Sequence, residues 1–570
     1  MAGMSMQQAP AIIILGPGSL ATAQRIQQRY PASSIHGLSG RVEGADAYYE
    51  AFGDTLRALY QQGSPIIALC AAGIVIRSLA SLLGEKGDEP PVLAVAADGS
   101  AVVPLLGGLS GVNVMAREIG EALGVAAAIT TSGELRFGTC LLNPPAGYAL
   151  ADIEQGKRFV SDLLAGESVR IDGDAPWLQQ AQLPASESAQ RTIHIGCDAR
   201  PASRDELLIH RRSLVVAIAA AGPELLEQIR SALRDAGLAE QALACLLAAD
   251  TLMAEQSLHE TARALGVGLR FAPATDNLAN MLAEQVPGAT LIEQAGMVIA
   301  IAIAPTPVDT ARVGRRRGRL AVIGLGPGAA ELMVPAVKAE LARAEDVLGY
   351  ETYVRMAGPF RDDQCLHCTD NREEMQRARH AFELAAQGRS VVVVSSGDPG
   401  VFAMAAAVLE ALHASDDPAW HRVDLEILPG VSASLATAAQ AGAPLGHDFC
   451  VMSLSDNLKP WSVIEQRLDL AAQADLVLAF YNPISRSRPW QLGRAIEIVR
   501  QHRSGSTPVV LGRDIGRPGQ TLRVVTLAEL VPEMVDMRTM VLLGSSTTCQ
   551  FPRADGTQWV YTPRWYPTAG

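Results

Sequence analysis

Short apolar runs alternate with longer segments of helical periodicity along the whole chain. Residues 11–15, 66–69, 92–95 and 102–106 are apolar runs bounded by turn residues, the pattern of strands buried on both faces of a sheet. The second run leads into Cys70-Ala71-Ala72-Gly73-Ile74-Val75-Ile76-Arg77, a small-residue turn opening a helix. The last is followed by a glycine turn, Gly107-Gly108-Leu109-Ser110-Gly111, and a helix ending near Gly124. The same rhythm returns with strands at 214–219 and 298–303 and helices near 224–236 and 258–265. It returns again with apolar runs at 320–323, 391–394, 425–428, 476–480 and 509–511. Helices are expected over 329–344, with Pro335 near the start, and over 403–412. Strand–helix alternation of this kind predicts α/β layers throughout.

Between these blocks the pattern weakens. Residues 139–205 are rich in Pro, Gly, Gln and Ser and predict a bridging element. Pro305-Thr306-Pro307 and Arg315-Arg316-Arg317 predict a polar linker. The expected organisation is therefore 1–138, a small α/β domain; 139–205, the bridge; 206–304, a second α/β domain; 305–317, the linker; and two further subdomains, 318–434 and 435–570.

Length agrees, since 570 residues exceed what one core can organise. A net charge of -13 argues against a general nucleic-acid surface, so an anionic ligand would need a local basic cluster. The eight cysteines are scattered, and only Cys365 and Cys368 form a C-x-x-C. With His367 between them a metal site is conceivable, but free thiols in a reducing cytoplasm are the expected reading and no metal is assigned. The first apolar run has no basic segment before it and is too short to span a membrane, so a cytoplasmic chain is expected.

The chemistry concentrates in the second half. The run 320–323 breaks into Gly324-Leu325-Gly326-Pro327-Gly328-Ala329, where backbone can approach a ligand closely because glycine carries no Cβ. The loop also fits the dinucleotide pattern G-x-G-x-x-G/A, with Asp346 at roughly the spacing of a ribose-binding acid but placed before the next apolar run. A plain tight turn is the third reading. Later strands end in Ser395-Ser396-Gly397-Asp398-Pro399-Gly400-Val401-Phe402, Pro429-Gly430-Val431-Ser432-Ala433, Tyr481-Asn482-Pro483 and Gly512-Arg513-Asp514. Ligands of open α/β sheets bind at such carboxyl ends.

The three glycine motifs, in this order and spacing, resemble the tetrapyrrole methyltransferase family, enzymes of cobalamin and sirohaem synthesis that use S-adenosylmethionine. Thr369-Asp370-Asn371-Arg372, the loop after 394 and Phe480-Tyr481-Asn482-Pro483-Ile484-Ser485-Arg486-Ser487-Arg488 narrow the resemblance to the precorrin-3B C(17)-methyltransferases. This implies two αβα domains with the cofactor between them, and a homodimer through that half. It implies cofactor contacts from Gly324, Gly326, Pro327, Gly328, Gly397, Asp398, Pro399, Gly400, Val401, Phe402, Ser432 and Ala433, with Met452 and Gly544 further on. The implied reaction methylates C-17 with corrin ring contraction. Tyr350, Glu351 and Asp398 are candidates for the proton transfers. The substrate is a polycarboxylate macrocycle. Asn482, Arg486, Arg488 and Arg513 are candidate contacts, and Arg494 and Arg517 are weaker ones.

The first half is similar to the cobalt-precorrin-5A hydrolases at Ala71–Arg77, Pro104-Leu105-Leu106-Gly107-Gly108 and Gly111-Val112-Asn113. It departs from that family where Leu109 replaces a common histidine, Ala97 an acid, Ala217-Ile218-Ala219-Ala220 a Gly-x-Gly-Cys-like start, and Met253 a usual lysine. Loss of polar groups at several strand ends implies a non-catalytic half that binds tetrapyrrole or stabilises the enzyme. An active lactone hydrolase is the alternative.

Overall fold

The computed structural model describes residues 9–83, 89–201, 203–293, 298–361, 363–370 and 373–565, so Asn371 and Arg372 lie outside the described residues. The chain forms two compact units, Met1–Arg317 and Gly318–Gly570.

The first unit contains three sheets. Strands β1 (Ala11–Ile14), β2 (Ser34–Leu38), β3 (Ala47–Tyr49), β4 (Ile66–Leu69), β5 (Val92–Val95) and β6 (Val102–Leu106) make one of order β3-β2-β1-β4-β5-β6. Only β6 runs antiparallel to its neighbour. Alternate residues serve opposite layers: Ile12 and Ile14 pack with one set of helices, Ile13 with the other. This explains why β1 reads as one continuous apolar run.

Residues 139–205 are more than a bridge. They carry β7 (Tyr148–Leu150), β8 (Val169–Asp172) and β9 (Arg191–Gly196), which join β10 (Glu206–Arg211) in a sheet of order β7-β10-β9-β8. Phe137, Phe159, Ile193 and Leu207 form its own core. Composition hid these strands because they are short and interrupted by turns. The third sheet, β13-β12-β11-β15-β14, comprises β11 (Leu214–Ile218), β12 (Leu243–Ala249), β13 (Gly268–Ala272), β14 (Thr290–Glu293) and β15 (Ile299–Ile303). The expected linker is tied to it. Phe271 and Arg315 exchange backbone hydrogen bonds of 2.8 Å, and the Arg270 guanidinium donates to the carbonyls of Val313 and Gly314.

The second unit begins with a wholly parallel sheet of order β18-β17-β19-β16-β20: β16 (Arg319–Gly324), β17 (Asp346–Tyr350), β18 (Cys365–Thr369), β19 (Ser390–Ser395) and β20 (Asp424–Leu428). Leu320 and Val322 face helices Glu374–Ala386 and Met404–His413, whereas Ala321 and Ile323 face helices Pro335–Arg343 and Glu351–Ala357. The helix expected over 329–344 starts only at Pro335, after a single 3-10 turn at Ala330–Leu332, because proline suits the first helical position.

After β21 (Gly442–Ala443) comes a mixed sheet of order β22-β23-β26-β24-β25: β22 (Phe449–Ser453), β23 (Val477–Tyr481), β24 (Pro508–Arg513), β25 (Thr521–Thr526) and β26 (Thr539–Leu543). Helices Trp461–Gln473 and Gln491–Arg500 cover one face. Helix Ala433–Ala441 covers the other, beside a small sheet formed by β21, β27 (Cys549–Pro552) and β28 (Gln558–Tyr561). No described helix is long and apolar enough to cross a membrane.

Candidate active site

Because β16, β19 and β20 are parallel neighbours, the loops that follow them leave the sheet at one edge. They interlock there. Gly326 N–H donates to the Gly397 carbonyl at 3.1 Å, and Gly397 N–H returns a bond of 2.8 Å to Gly326. Asp398 holds the third loop: Oδ2 accepts from Gly430 N–H at 3.0 Å while Oδ1 accepts from Gly400 N–H at 2.8 Å. Glycine is required by contact at Gly430, where a Cβ would lie 2.2 Å from the Gly397 carbonyl oxygen.

The second sheet supplies the opposite wall. Tyr481 ends β23, and its hydroxyl accepts from Ser434 N–H at 3.1 Å. Its ring lies 5.4 Å from that of Phe402, whose backbone is left-handed (φ 53°) and whose side chain is half exposed. Asn482, also left-handed at φ 49°, donates from Nδ2 to Ser453 Oγ at 3.0 Å. Arg517, beyond β24, reaches the first glycine loop. Its Nε donates to the Pro327 carbonyl at 2.9 Å, and its terminal nitrogen lies 3.3 Å from Ser396 Oγ.

This arrangement gathers Gly324, Gly326, Pro327, Gly328, Gly397, Asp398, Pro399, Gly400, Val401, Phe402, Ser432, Ala433 and Asn482 around one cleft. Tyr350 ends β17 at the same edge, its ring 5.4 Å from Tyr353. Burial pushes the Tyr353 phenol up, with the Arg517 charge pulling the other way. Met452 lies under Phe402 on β22 and lines a cavity with it.

Other expectations fall elsewhere. Gly544 is not in the cleft: β26 runs antiparallel to β23 and β24, so its end lies beside Pro508 rather than Arg513. Glu351 is an exposed carboxylate paired with Arg355 one helical turn on. Arg488 is 6% exposed and donates to the Asn482 carbonyl at 2.9 Å, so it props the loop. Arg513 is neutralised by Asp536 and Asp514, and Arg494 by Glu465 and Glu497. Arg486 is exposed. Asp346 opens β17 at the opposite edge of the sheet and is buried against Arg389 and His367, which removes the acid that a dinucleotide site would need. Cys365 and Cys368 stand three apart on β18, so their side chains leave opposite faces.

Residue patterns singled out neither Tyr481 as a wall nor Arg517 as a brace. The signal for Tyr481 was its place directly before Asn482-Pro483 at a strand end. Arg517, expected only as a contact for substrate carboxylates, carried no signal of its bracing, because its partner Pro327 lies 190 residues away.

The cleft suits a zwitterionic cofactor carrying a carboxylate. Ser432 caps helix Ala433–Ala441, its Oγ accepting from Leu435 N–H. Gly397 faces the start of that helix, and its left-handed φ of 69° is what calls for glycine there.

Comparison with known proteins gives two family matches. Residues 319–531 match the tetrapyrrole (corrin/porphyrin) methylases, and residues 54–134 match the cobalamin synthesis G N-terminal family. A precorrin-3B C(17)-methyltransferase from Sinorhizobium sp is 51% identical over 253 residues, 44% of this chain and 98% of the relative. A cobalamin biosynthesis protein CobIJ from Mycobacterium tuberculosis is 49% identical over 265 residues, 45% of this chain and 51% of that protein. A crystal structure of the methyltransferase CobJ is 52% identical, covers 43% of this chain and 100% of its own, and superposes with a TM-score of 0.41.

Proposed function

The chain belongs to the tetrapyrrole (corrin/porphyrin) methylase family, and from that premise we propose that it transfers a methyl group from S-adenosylmethionine to C-17 of precorrin-3B, with contraction of the ring, in cobalamin biosynthesis. The observation that carries the reading is the interlock of Gly326, Gly397, Asp398 and Gly430 in a unit 51% identical to a methyltransferase of that name.

The bound cofactor supplies a methyl group already activated by its sulfonium. The task left to the protein is to hold donor and acceptor carbon in line, and backbone-rich loops do this without a strong nucleophile. At the start of helix Ala433–Ala441 the Ser434 and Leu435 N–H groups are taken by Tyr481 and Ser432, and the Ala433 N–H would hold the cofactor's carboxylate. Phe402 and Tyr481 form an aromatic wall of the cleft. Asp398 has both oxygens committed to loop N–H groups, so it braces, and Tyr350 remains the candidate at this edge for moving a proton. Arg486, exposed beyond Asn482, is free to meet a substrate carboxylate.

We read the enzyme as cytoplasmic and dimeric through Gly318–Gly570. The unit Met1–Arg317 is read as a non-catalytic tetrapyrrole-binding or stabilising module. The test is incubation of the full chain with precorrin-3B and S-adenosylmethionine, following the product by mass. Gain of one methyl at C-17 is expected, and no methylation overturns the reading.

A further inference from the structure

Beside the glycine loops lies a cavity of about 510 Å³ that none of the expected site residues except Phe402 and Met452 reaches. Its walls are the edge strand β22 and helix Trp461–Gln473, with Val451, Met452, Ile464 and Leu470 giving it an apolar lining. Two cations, Lys459 and Arg467, stand on this lining. Among the described residues neither forms an ion pair, in contrast to Arg494 and Arg513 on the same subdomain, each held by two carboxylates. Lys459 Nζ lies 5.9 Å from the centre of the Phe402 ring. Its ammonium is pushed down by burial and then by the like charge of Arg467, so the two cations feel one another.

We infer that this cavity is the carboxylate-reading part of the tetrapyrrole site, with Lys459 and Arg467 as specificity-determining cations and the apolar lining as the seat for one edge of the macrocycle. The inference rests on the methyltransferase reading above and assigns it residues that no motif indicated. Two uncompensated cations over an apolar floor fit a ligand that is apolar in its ring and repeatedly anionic at its rim. A carboxylate of the methyl donor is the other source of such chemistry. It offers a single anion beside a cationic sulfonium and would leave one of the two cations unmet. Phe402 connects the halves of the site, since it belongs to the loop braced by Asp398 and also walls the cavity.

The test compares the full chain with Lys459→Met, Arg467→Met and Lys459→Arg. Lys459 is half-buried and Arg467 exposed, so the variants are expected to fold. Each Met variant should raise KM for precorrin-3B about tenfold, the worth of one charge-assisted contact, with kcat and S-adenosylmethionine affinity unchanged. Lys459→Arg should restore most of the loss. Direct binding uses uroporphyrin III, a tetrapyrrole polycarboxylate, read by quenching of Trp461, two residues from Lys459, and Trp490, whose rings lie 4.9 Å apart. The acid should bind, and its methyl ester should bind as weakly as the acid binds the Met variants. Loss of S-adenosylmethionine affinity with unchanged tetrapyrrole constants would assign the cavity to the methyl donor and overturn the inference, as would equal binding of acid and ester. A wild-type chain that never methylates precorrin-3B would sink the proposed function instead, and the binding arm would still decide the cavity.

Discussion

Asp398 Oδ2 accepts the Gly430 N–H at 3.0 Å, so one carboxylate from the loop after β19 holds the loop after β20. Its other oxygen accepts from Gly400, and both are satisfied within the protein. Asp398→Asn replaces one acceptor by a donor facing an N–H group. Leaving such a group unmatched costs about 1–3 kcal/mol. The expected result is at least tenfold weaker S-adenosylmethionine binding by calorimetry, with a small fall in Tm. Unchanged affinity would show that the brace is not needed.

Gly430→Ala tests the interlock from the other side. The added Cβ meets the Gly397 carbonyl oxygen at 2.2 Å and the Gly324 carbonyl oxygen and carbon at 2.7 and 2.8 Å, and all three atoms are backbone. Backbone cannot step aside as a side-chain tip can, so a loss of about 1–3 kcal/mol is expected. Thermal unfolding of the purified variant measures it, and methyl transfer should fall with it.

Arg517 and Arg486 should separate bracing from substrate contact. Arg517→Ala removes the bond to the Pro327 carbonyl and the contact with Ser396, and should lower kcat as well as raise KM. Arg486→Ala should raise KM for the tetrapyrrole alone. Steady-state kinetics with each substrate varied in turn would show whether the two changes differ in kind.

Glu340 gives a pH prediction. Its side chain is 2% exposed and bound by Arg319 at 2.6 Å and by Arg343. Burial raises its carboxyl, but the two guanidinium groups outweigh burial and leave it below the ordinary 4.5. A lowered folded value means stability that is present in full above pH 4.5 and lost as pH falls through the folded value. Glu340→Gln should cost about 2 kcal/mol at neutral pH by urea denaturation. The gap to wild type should shrink below pH 4.5.

The first unit should release no acetaldehyde from a lactone-bearing tetrapyrrole. Met253, where a lysine would stand in the hydrolase-like pattern, is 4% exposed, and Ala217 is fully buried. These positions pack the core around β11 and β12 and present no polar group. Acetaldehyde production by the full chain, absent from the unit Gly318–Gly570, would show instead that hydrolysis persists.

By itself the sequence determined the strands of continuous apolar character. Residues 66–69 and 92–95 became β4 and β5 without a shift, because a strand buried on both faces leaves no polar position to blur its ends, and 102–106 became the partly exposed edge strand β6. It also determined the glycine loops, since close approach of backbone leaves little choice of residue. Strands β7 to β10 were lost, because β7 and β8 are short and the buried Thr192, His194 and His210 break the apolar runs of β9 and β10. Only the tertiary structure decided what each polar side chain faces. Whether Arg488 meets a ligand or the Asn482 carbonyl depends on a loop closing on itself, and the contact of Arg517 with Pro327 joins segments 190 residues apart. The direction of β26 took Gly544 out of the cleft, and the packing of helix Trp461–Gln473 on β22 brought Lys459 and Arg467 to one cavity. Local pattern reports burial and turn chemistry, whereas the pairing of distant charges is settled by which strand edges the chain brings together.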